Sequence, residues 1–511
     1  MSSNRQIKKG IALSYFIIVV NSLSNIILTP VLISSVGQGE YGVFQTINAF
    51  ASNLVVLDIG TGTMMTRFLS IYLAENNKKE VNNYSAIGIL LSAICAVASL
   101  FIGFLMYLSI DSVYANTFSD TELETAKFLF ILMIFSVSIS MLDKAFLGII
   151  NAYERFTVTK GTVLLKIIFR IISILGIVLL KGSVIWISIT ELVIAIITVI
   201  LMLSYVVFKL GVHPHFYHLD KKIILSSSTF MIAIVFNSVV NQVNLSLDKI
   251  LIGSIVSTTA VTVYQVGLVI VNANNQIANS ASNIFLPKIT KSLHNGVSMD
   301  KIVDIAVPPG RLNYFITGII LIEFALFGKE FLTIWMHDSG YEQVYWEALM
   351  LLGAYLIPHM EIATGSILDA MNKRIVRSVV LGGIALVNGI TTALVLPYYG
   401  ILGAAFMTMI TVLIGHGIIL NIYFRKRLEI DVWRMLLQIS RGISPCLFIA
   451  ALAGLPLVSF DLGILGFIIK CIVVLLVFLV LMYKFGFNNS EKILISNFIV
   501  KIKSHLKRKA P

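Results

Sequence analysis

Carboxamides recur at helical spacing inside otherwise apolar stretches of this chain. Between residues 223 and 252, Asn237, Asn241, Asn244 and Asp248 stand four, three and four positions apart, which at 100° per residue confines them to roughly 60° of arc. The following stretch repeats the pattern with Gln265, Asn272, Gln276, Asn279 and Asn283, while Asn274 and Asn275 fall off the stripe. Near the N-terminus Ser14, Asn21, Asn25 and Thr29 line one side of a first apolar stretch, and Gln45, Asn48 and Ser52 one side of a second. An amide supplies donors and an acceptor and a hydroxyl does both, so such stripes can replace the water around sugar hydroxyls. The competing reading is interhelical glue, worth about 0.6 kcal/mol per bond in a membrane.

Ionisable groups within apolar stretches are either paired or functional. Counted at about 1.5 Å per residue, Asp143 and Lys166 lie at matching depth, about 22 to 24 Å from the outer ends of their stretches, and are expected to pair. Arg170 matches Glu191 less well and is a candidate for an anionic substrate, with Lys249 beside Asp248 and with Arg67. Asp58, Asp248 and Glu361 are candidates for ion coupling, and Lys470 is expected to snorkel outward. His213, His215 and His218 lie within six residues but have no nearby cysteine, so no metal is expected there. The sequence holds no phosphate-binding Gly-rich loop, nucleophile elbow or zinc motif, and no catalytic residue or cofactor is expected.

The elements that must position these groups follow from composition. Of 511 residues, 57% are hydrophobic and 13% charged, against roughly 25% charged in soluble domains. A mean hydropathy of +0.92 therefore requires a multi-pass membrane protein. Apolar runs between turn and charge clusters predict fourteen spans near 11–36, 41–66, 84–108, 127–150, 162–181, 184–208, 223–252, 260–286, 305–328, 343–368, 376–397, 400–424, 442–460 and 463–485. Alternate connections test that number. One side holds 31 of the 38 Lys and Arg, Arg311 near the start of its span counted among them, the other only Lys127, Lys181 and Lys329, and Lys166, Arg170, Lys249 and Lys470 fall deeper within spans. Both termini are thus expected on the cytoplasmic side. The topology also accounts for the net charge of +12, so no nucleic-acid partner is expected. Arg5, Lys8 and Lys9 precede a first span with no small-residue cleavage site, which reads as retained.

Short outer connections leave no room for an outer catalytic domain. Cys95, Cys446 and Cys471 sit in apolar runs as small hydrophobes. Beyond Ser490, Leu494, Phe498, Ile502 and Leu506 alternate with lysines at helical spacing, as in a helix lying on anionic lipid. An offset of about 218 to 220 residues superposes Asn21 on Asn241, Phe44-Gln45 on Tyr264-Gln265, Ala152 on Ala370, and Lys181-Gly182 on Tyr399-Gly400. Six spans separate the copies, so they share one orientation and are parallel repeats. The expected fold is an all-α integral membrane protein of about fourteen helices. Two six-helix lobes, 1–210 and 211–425, are related by a pseudo-two-fold axis along the membrane normal, and 426–511 adds two spans and a basic tail. The amide stripes concentrate on the first two spans of each lobe, which favours a cavity lining.

Several segments then carry a family resemblance: YGVFQ (41–45), LDIGTGTMMTRF (57–68), GIINAYERF (148–156), LDKILIG (247–253) with Tyr264, Pro287, the FLTIW run ending at Trp335, and GILGAA (400–405). In order and spacing, over roughly residues 5 to 485, these resemble bacterial polysaccharide repeat-unit flippases of the multidrug/oligosaccharidyl-lipid/polysaccharide exporter superfamily. The resemblance implies alternating access and transfer of an undecaprenyl-diphosphate-linked oligosaccharide across the bacterial cytoplasmic (inner) membrane, for O-antigen or capsule assembly. It implies membrane lipids, a polysaccharide polymerase and chain-length machinery as partners. Arg67 of the TRF segment and Asp248-Lys249 are the positions it carries over. The chain departs from the family pattern at His337, where a glycine is common. The first span carries no acid, unlike many cation-coupled multidrug exporters of the superfamily, and no arginine, unlike peptidoglycan-precursor flippases. A cation-coupled multidrug exporter is the nearest alternative. A membrane glycan polymerase or ligase acting through Lys329 or Asp338, and a scaffold for glycan assembly, are others.

Overall fold

The computed structural model describes the backbone of residues 2–218, 221–282, 286–337, 341–371, 374–460, 463–489, 491–493 and 496. Side chains are described for these except residues 2–12, 221–234, 237, 245, 280–282, 286–288, 369–370 and 374. Asn283, Asp338 and most of the basic tail beyond Ser490 lie outside the described residues, as does the side chain of Asn237.

The described residues form helices and no strand. In chain order they are α1 (Ser2–Val36), α2 (Gln38–Ser52), α3 (Thr61–Ala74), α4 (Lys78–Tyr114), α5 (Asp120–Ala152), α6 (Phe156–Leu179), α7 (Ile185–Ser204), α8 (Lys221–Ile255) and α9 (Thr258–Ser282). There follow α10 (Leu286–His294), α11 (Met299–Met336), α12 (Glu342–Met360), α13 (Ile362–Ala370), α14 (Arg374–Ile414), α15 (Asn421–Leu428), α16 (Val432–Ser440), α17 (Ile443–Gly454) and α18 (Gly463–Leu481). Among the described residues, eight helices are long and apolar enough to cross a membrane, or up to ten if each of two bent pairs is one span. Expected spans at 223–252, 260–286 and 305–328 fall on α8, α9 and α11, outside those eight; α8 and α9 carry the amide stripes.

Local chemistry sets the breaks. Gly37, at φ 86° and ψ 159°, separates α1 from α2. Ser119 and Glu122 close a reciprocal capping box on α5, and the Asn77 side chain caps α4. The expected spans 376–397 and 400–424 meet inside α14 at Gly400, whose φ of 56° and ψ of −146° suit only a residue without Cβ.

The chain divides into two compact units: Met1–Ala273 with Ile375–Thr411, and Asn274–Arg374 with Val412–Pro511. In the first unit α5 packs on α3, α4 and α7, α1 on α6, and α2 on α8. A core of Met64, Met65, Leu69, Tyr84, Phe146, Ile149, Ile150 and Met202 joins α3, α4, α5 and α7. The α2 helix meets the start of α9 so closely that a Cβ at Gly42 would lie 1.9 Å from the Thr258 carbonyl oxygen. Asp143 and Lys166 pair at 2.7 Å as their depths predict.

In the second unit α11 packs on α12, α16, α17 and α18. Ile319, Phe327, Ile443, Cys446, Leu447, Val474 and Phe478 form its core. Two cations here differ from expectation. Lys470 does not snorkel outward: it is 3% exposed, paired with Glu330, and donates to the Phe460 carbonyl at 2.7 Å. A partner inside the protein replaces the need to reach water. Arg311, counted among the cytoplasmic anchoring charges, lies within α11 at 6% exposure. It donates to both oxygens of Glu491 at 2.7 and 3.1 Å and to the carbonyls of Gln438, Ile439, Arg441 and Gly486 at 2.8 to 3.3 Å. Large apolar side chains such as Phe101, Leu179 and Leu465 remain exposed on the helices, as surfaces against hydrocarbon require.

Candidate functional site

Within the first unit α1, α2, α6 and α7 enclose a small polar cavity of about 40 Å³. Asn21, Ser24, Asn25 and Thr29 reach it from α1, Tyr41 and Gln45 from α2, and Arg170 from α6, among aliphatic neighbours. The α1 stripe therefore faces inward, and two of its amides meet Gln45 and Arg170. Two local bonds fix the α1 hydroxyls: Ser24 donates to the Val20 carbonyl and Thr29 to the Asn25 carbonyl, each at 2.6 Å. Tyr41 has Gln45 and Thr29 as side-chain hydrogen-bond neighbours. The Arg170 guanidinium lies 3.5 Å from Glu191 on α7. The space holds about two or three waters, far less than a sugar ring. Asn48 does not line it and is half-buried on α2.

The α8 stripe divides by role. Asn241 and Asn244 are exposed, and the Asn244 amide donates to its own Val240 carbonyl at 3.0 Å. Residues off the stripe tie α8 to the α2 end: Gln242 donates to Ser52 at 2.7 Å, and Ser246 to Asn53 at 2.9 Å. On the stripe itself, Asp248 is bonded to other helices while the amides Asn241 and Asn244 are exposed. On α9, Asn272 and Gln276 are half-buried, Asn279 is exposed, and no described atom bonds the buried Gln265 Oε1. The off-stripe Asn275 does the packing, at 2.9 Å from His359 Nε2.

Asp248 sits in an oxygen-rich cluster of the first unit. Its Oδ2 accepts from the Tyr264 hydroxyl at 2.7 Å and from Thr408 at 3.2 Å. Asn388 Oδ1 accepts from Thr392, Thr408 and Thr411 at 3.1 to 3.4 Å. Sequence reasoning missed Asn388, Thr392, Thr408 and Thr411. The i, i+4 spacing of Asn388 and Thr392 and the i, i+3 spacing of Thr408 and Thr411 within α14 were the available signal. Lys249 is half-buried next to Asp248.

The remaining candidates lie apart. Arg67 is exposed on α3, its guanidinium 5.9 Å from the centre of the Phe68 ring. Asp58 caps α3, its Oδ1 accepting from the backbone and hydroxyl of Thr61 at 3.2 and 3.0 Å. Glu361, in the second unit, accepts from Asn421 at 2.8 Å and lies 4.0 Å from His416 Nδ1. The histidine segment 213–218 is bonded along α4 by Asn82 and Asn83. Among the described residues no group of three or more His, Cys, Asp or Glu is placed to hold a metal ion.

Comparison with known proteins adds lineage to this geometry. A family model described as "Polysaccharide biosynthesis protein" matches residues 7–293. No curated protein matches the sequence. Among solved structures, the lipid II flippase MurJ in an inward closed conformation is 16% identical, with a TM-score of 0.70, covering 92% of this chain and 97% of that one. A multidrug resistance MATE family transporter of the MOP superfamily, inward-facing, is 13% identical with a TM-score of 0.64, covering 82% and 94%. A MATE transporter from Vibrio cholerae is 13% identical with a TM-score of 0.56, covering 86% and 96%. At these identities the likeness is one of fold: the chain has the helical architecture of these membrane transporters.

Proposed function

The chain belongs to the polysaccharide biosynthesis protein family, and from that premise we propose that it is a flippase for undecaprenyl-diphosphate-linked oligosaccharide repeat units. It moves them from the cytoplasmic to the outer face of the bacterial cytoplasmic membrane, for O-antigen or capsule assembly, and performs no covalent chemistry. The lobes 1–210 and 211–425 rock in alternating access, both termini stay cytoplasmic, and a polymerase with its chain-length machinery receives the product.

One observation carries this reading: on α8 the stripe amides Asn241 and Asn244 are exposed, while Gln242, Ser246 and Asp248 are bonded to other elements. Exposed amides on an otherwise apolar helix suit a hydroxyl-rich cargo, because each unpaired sugar hydroxyl in hydrocarbon would cost several kcal/mol. Arg67 attracts the diphosphate at the inner mouth, Arg170 and Lys249 follow it inward, and the prenyl tail stays in lipid. The amides Asn21, Asn25, Gln45, Asn48, Asn237, Asn241, Asn244, Gln265, Asn272, Gln276 and Asn279 solvate the glycan. Asp248 and Glu361 serve energy coupling, while Asp58 holds the start of α3.

Complementation tests the reading. In cells lacking their own repeat-unit flippase the chain restores surface polymer, and Asn241→Leu, Asn272→Leu and Lys249→Ala abolish it at normal protein levels. Failure with every donor pathway, together with new resistance to cationic dyes, would replace it by the drug-exporter reading.

A further inference from the structure

Two breaks in the helices of the second unit meet at a buried carboxylate. Glu361, 3% exposed, occupies the junction where α12 bends by 42° into the following helix, three residues after Pro358, which leaves the α12 ladder one donor short. Facing it is residues 415–420, a π-helical turn between α14 and α15 that carries His416, and such turns occur often at functional sites. His416 Nδ1 stands 4.0 Å from Glu361 Oε2. On the other side Asn421 Nδ2 donates to Glu361 Oε1 at 2.8 Å and to the Gly417 carbonyl at 3.1 Å. Asn421 is fully buried, and no described atom bonds its Oδ1.

We propose that Glu361 and His416 form a proton-binding site, holding one exchangeable proton between them, with Asn421 sensing its position. A bare carboxylate at this burial costs several kcal/mol unless a cation or proton neutralises it. The pair is neutral with one proton, carried by Glu361 Oε2 or by His416 Nδ1, and bears one negative charge without it. Asn421 matches both forms of the acid: its amide nitrogen donates to the carboxylate, and a flip of the amide presents the unbonded Oδ1 to a carboxylic O–H. The groups seen beside the carboxylate suit a proton. A hard cation needs several oxygen ligands, whereas Glu361 is met by an amide N–H and an imidazole nitrogen. The oxygens gathered around Asp248 form the opposite arrangement.

Other titratable rings stand close to the bend, among them Tyr355 and His359 of α12, stacked with centroids 6.2 Å apart. His359 of α12 is held by Asn275 of α9 at 2.9 Å, and Asn313 of α11 donates to its carbonyl at 3.1 Å. Lys291 and His294 of α10, which packs on α13, are exposed, and Arg311 of α11 is engaged by Glu491. Gain or loss of the proton therefore acts on the contact between the α12–α13 bend and the π-helical turn. That coupling to transport rests on the flippase reading; the binding of the proton does not.

The test is infrared difference spectroscopy of the purified full-length protein in lipid nanodiscs, titrated from about pH 5 to about pH 9. A protonated-carboxyl band should titrate in the wild type, disappear in Glu361→Gln, and shift its midpoint by about one pH unit or more in His416→Gln. Glu361→Gln keeps an acceptor for Asn421, and His416→Gln provides the decision if Glu361→Gln fails to fold. A band whose midpoint ignores His416→Gln, or no Glu361-dependent band in this range, overturns the proposal. Failed complementation with an intact shared titration would reject the flippase reading and leave the proton site standing.

Discussion

Removing the Arg311 side chain should release the C-terminal spans from α11. Its guanidinium makes two parallel bonds to Glu491 and reaches four carbonyls that end α16 and α18 or flank them. In Arg311→Met the Glu491 carboxylate and those carbonyls lose their donor together, a loss of about 3 to 5 kcal/mol for a broken buried pair. Cys446 reports on it. Its thiol is 2% exposed in the core shared by α11, α17 and α18, and it lies next to Gly486, whose carbonyl Arg311 holds. With Cys95 and Cys471 replaced by Ala, maleimide labelling of Cys446 requires local opening, and at 1.4 kcal/mol per tenfold its rate should rise between about a hundred-fold and about three-thousand-fold. Arg311→Lys should fall between, since an ammonium keeps the charge but not the planar fork. In a second background that keeps only Cys95, with Cys446 and Cys471 replaced by Ala, the buried Cys95 of the other unit should label at an unchanged rate in Arg311→Met. A Cys446 rate within about fivefold of the parent would refute the claim that Arg311 holds these spans.

Three further outcomes follow from the same contacts. Lys166→Met strands the buried Asp143 carboxylate and should cost about 3 kcal/mol, the lower end of the range because Lys166 is one-third exposed; adding Asp143→Asn should recover most of it in thermal unfolding, and simple additivity would show the two groups uncoupled. Gly42→Ala places a methyl 1.9 Å from the Thr258 carbonyl oxygen and should destabilise by roughly 1 to 3 kcal/mol, while an unchanged melting temperature would contradict the close α2–α9 approach. Asp248→Asn keeps the size of the group bonded by Tyr264 and Thr408 but removes its charge; surface polymer in complemented cells should fall at least about tenfold at equal protein level, and full activity would exclude Asp248 from coupling.

Pairings set by depth alone were legible in the sequence. Asp143 and Lys166 lie on adjacent helices at matching depth, and hydrocarbon offers neither any other neutralising group, so counting residues was sufficient. The same logic gave Arg170 and Glu191, whose poorer match appears as a 3.5 Å contact. It failed for Lys470, because the choice between snorkelling and pairing depends on whether another helix brings an acid alongside, and Glu330 is 140 positions away. It failed for Arg311 for the same reason: its partners come from α16, the end of α18 and Glu491.

Periodicity showed that α8 carries a polar stripe, but not which polar residues face a neighbour. Gln242 and Ser246, off the stripe, and Asp248, on it, turned out to be bonded to other elements. Asn388, Thr408 and Thr411 joined Asp248 although nothing in the local pattern linked α8 to α14. By itself, the sequence determined that this is a multi-pass helical membrane protein, that the chain turns near Gly37 and Gly400, and which charges must be neutralised, because hydropathy, glycine conformations and desolvation act locally along the chain. Only the tertiary structure decided which partner neutralises each charge and which amides stay open, because those depend on helix rotation and packing between segments far apart in sequence.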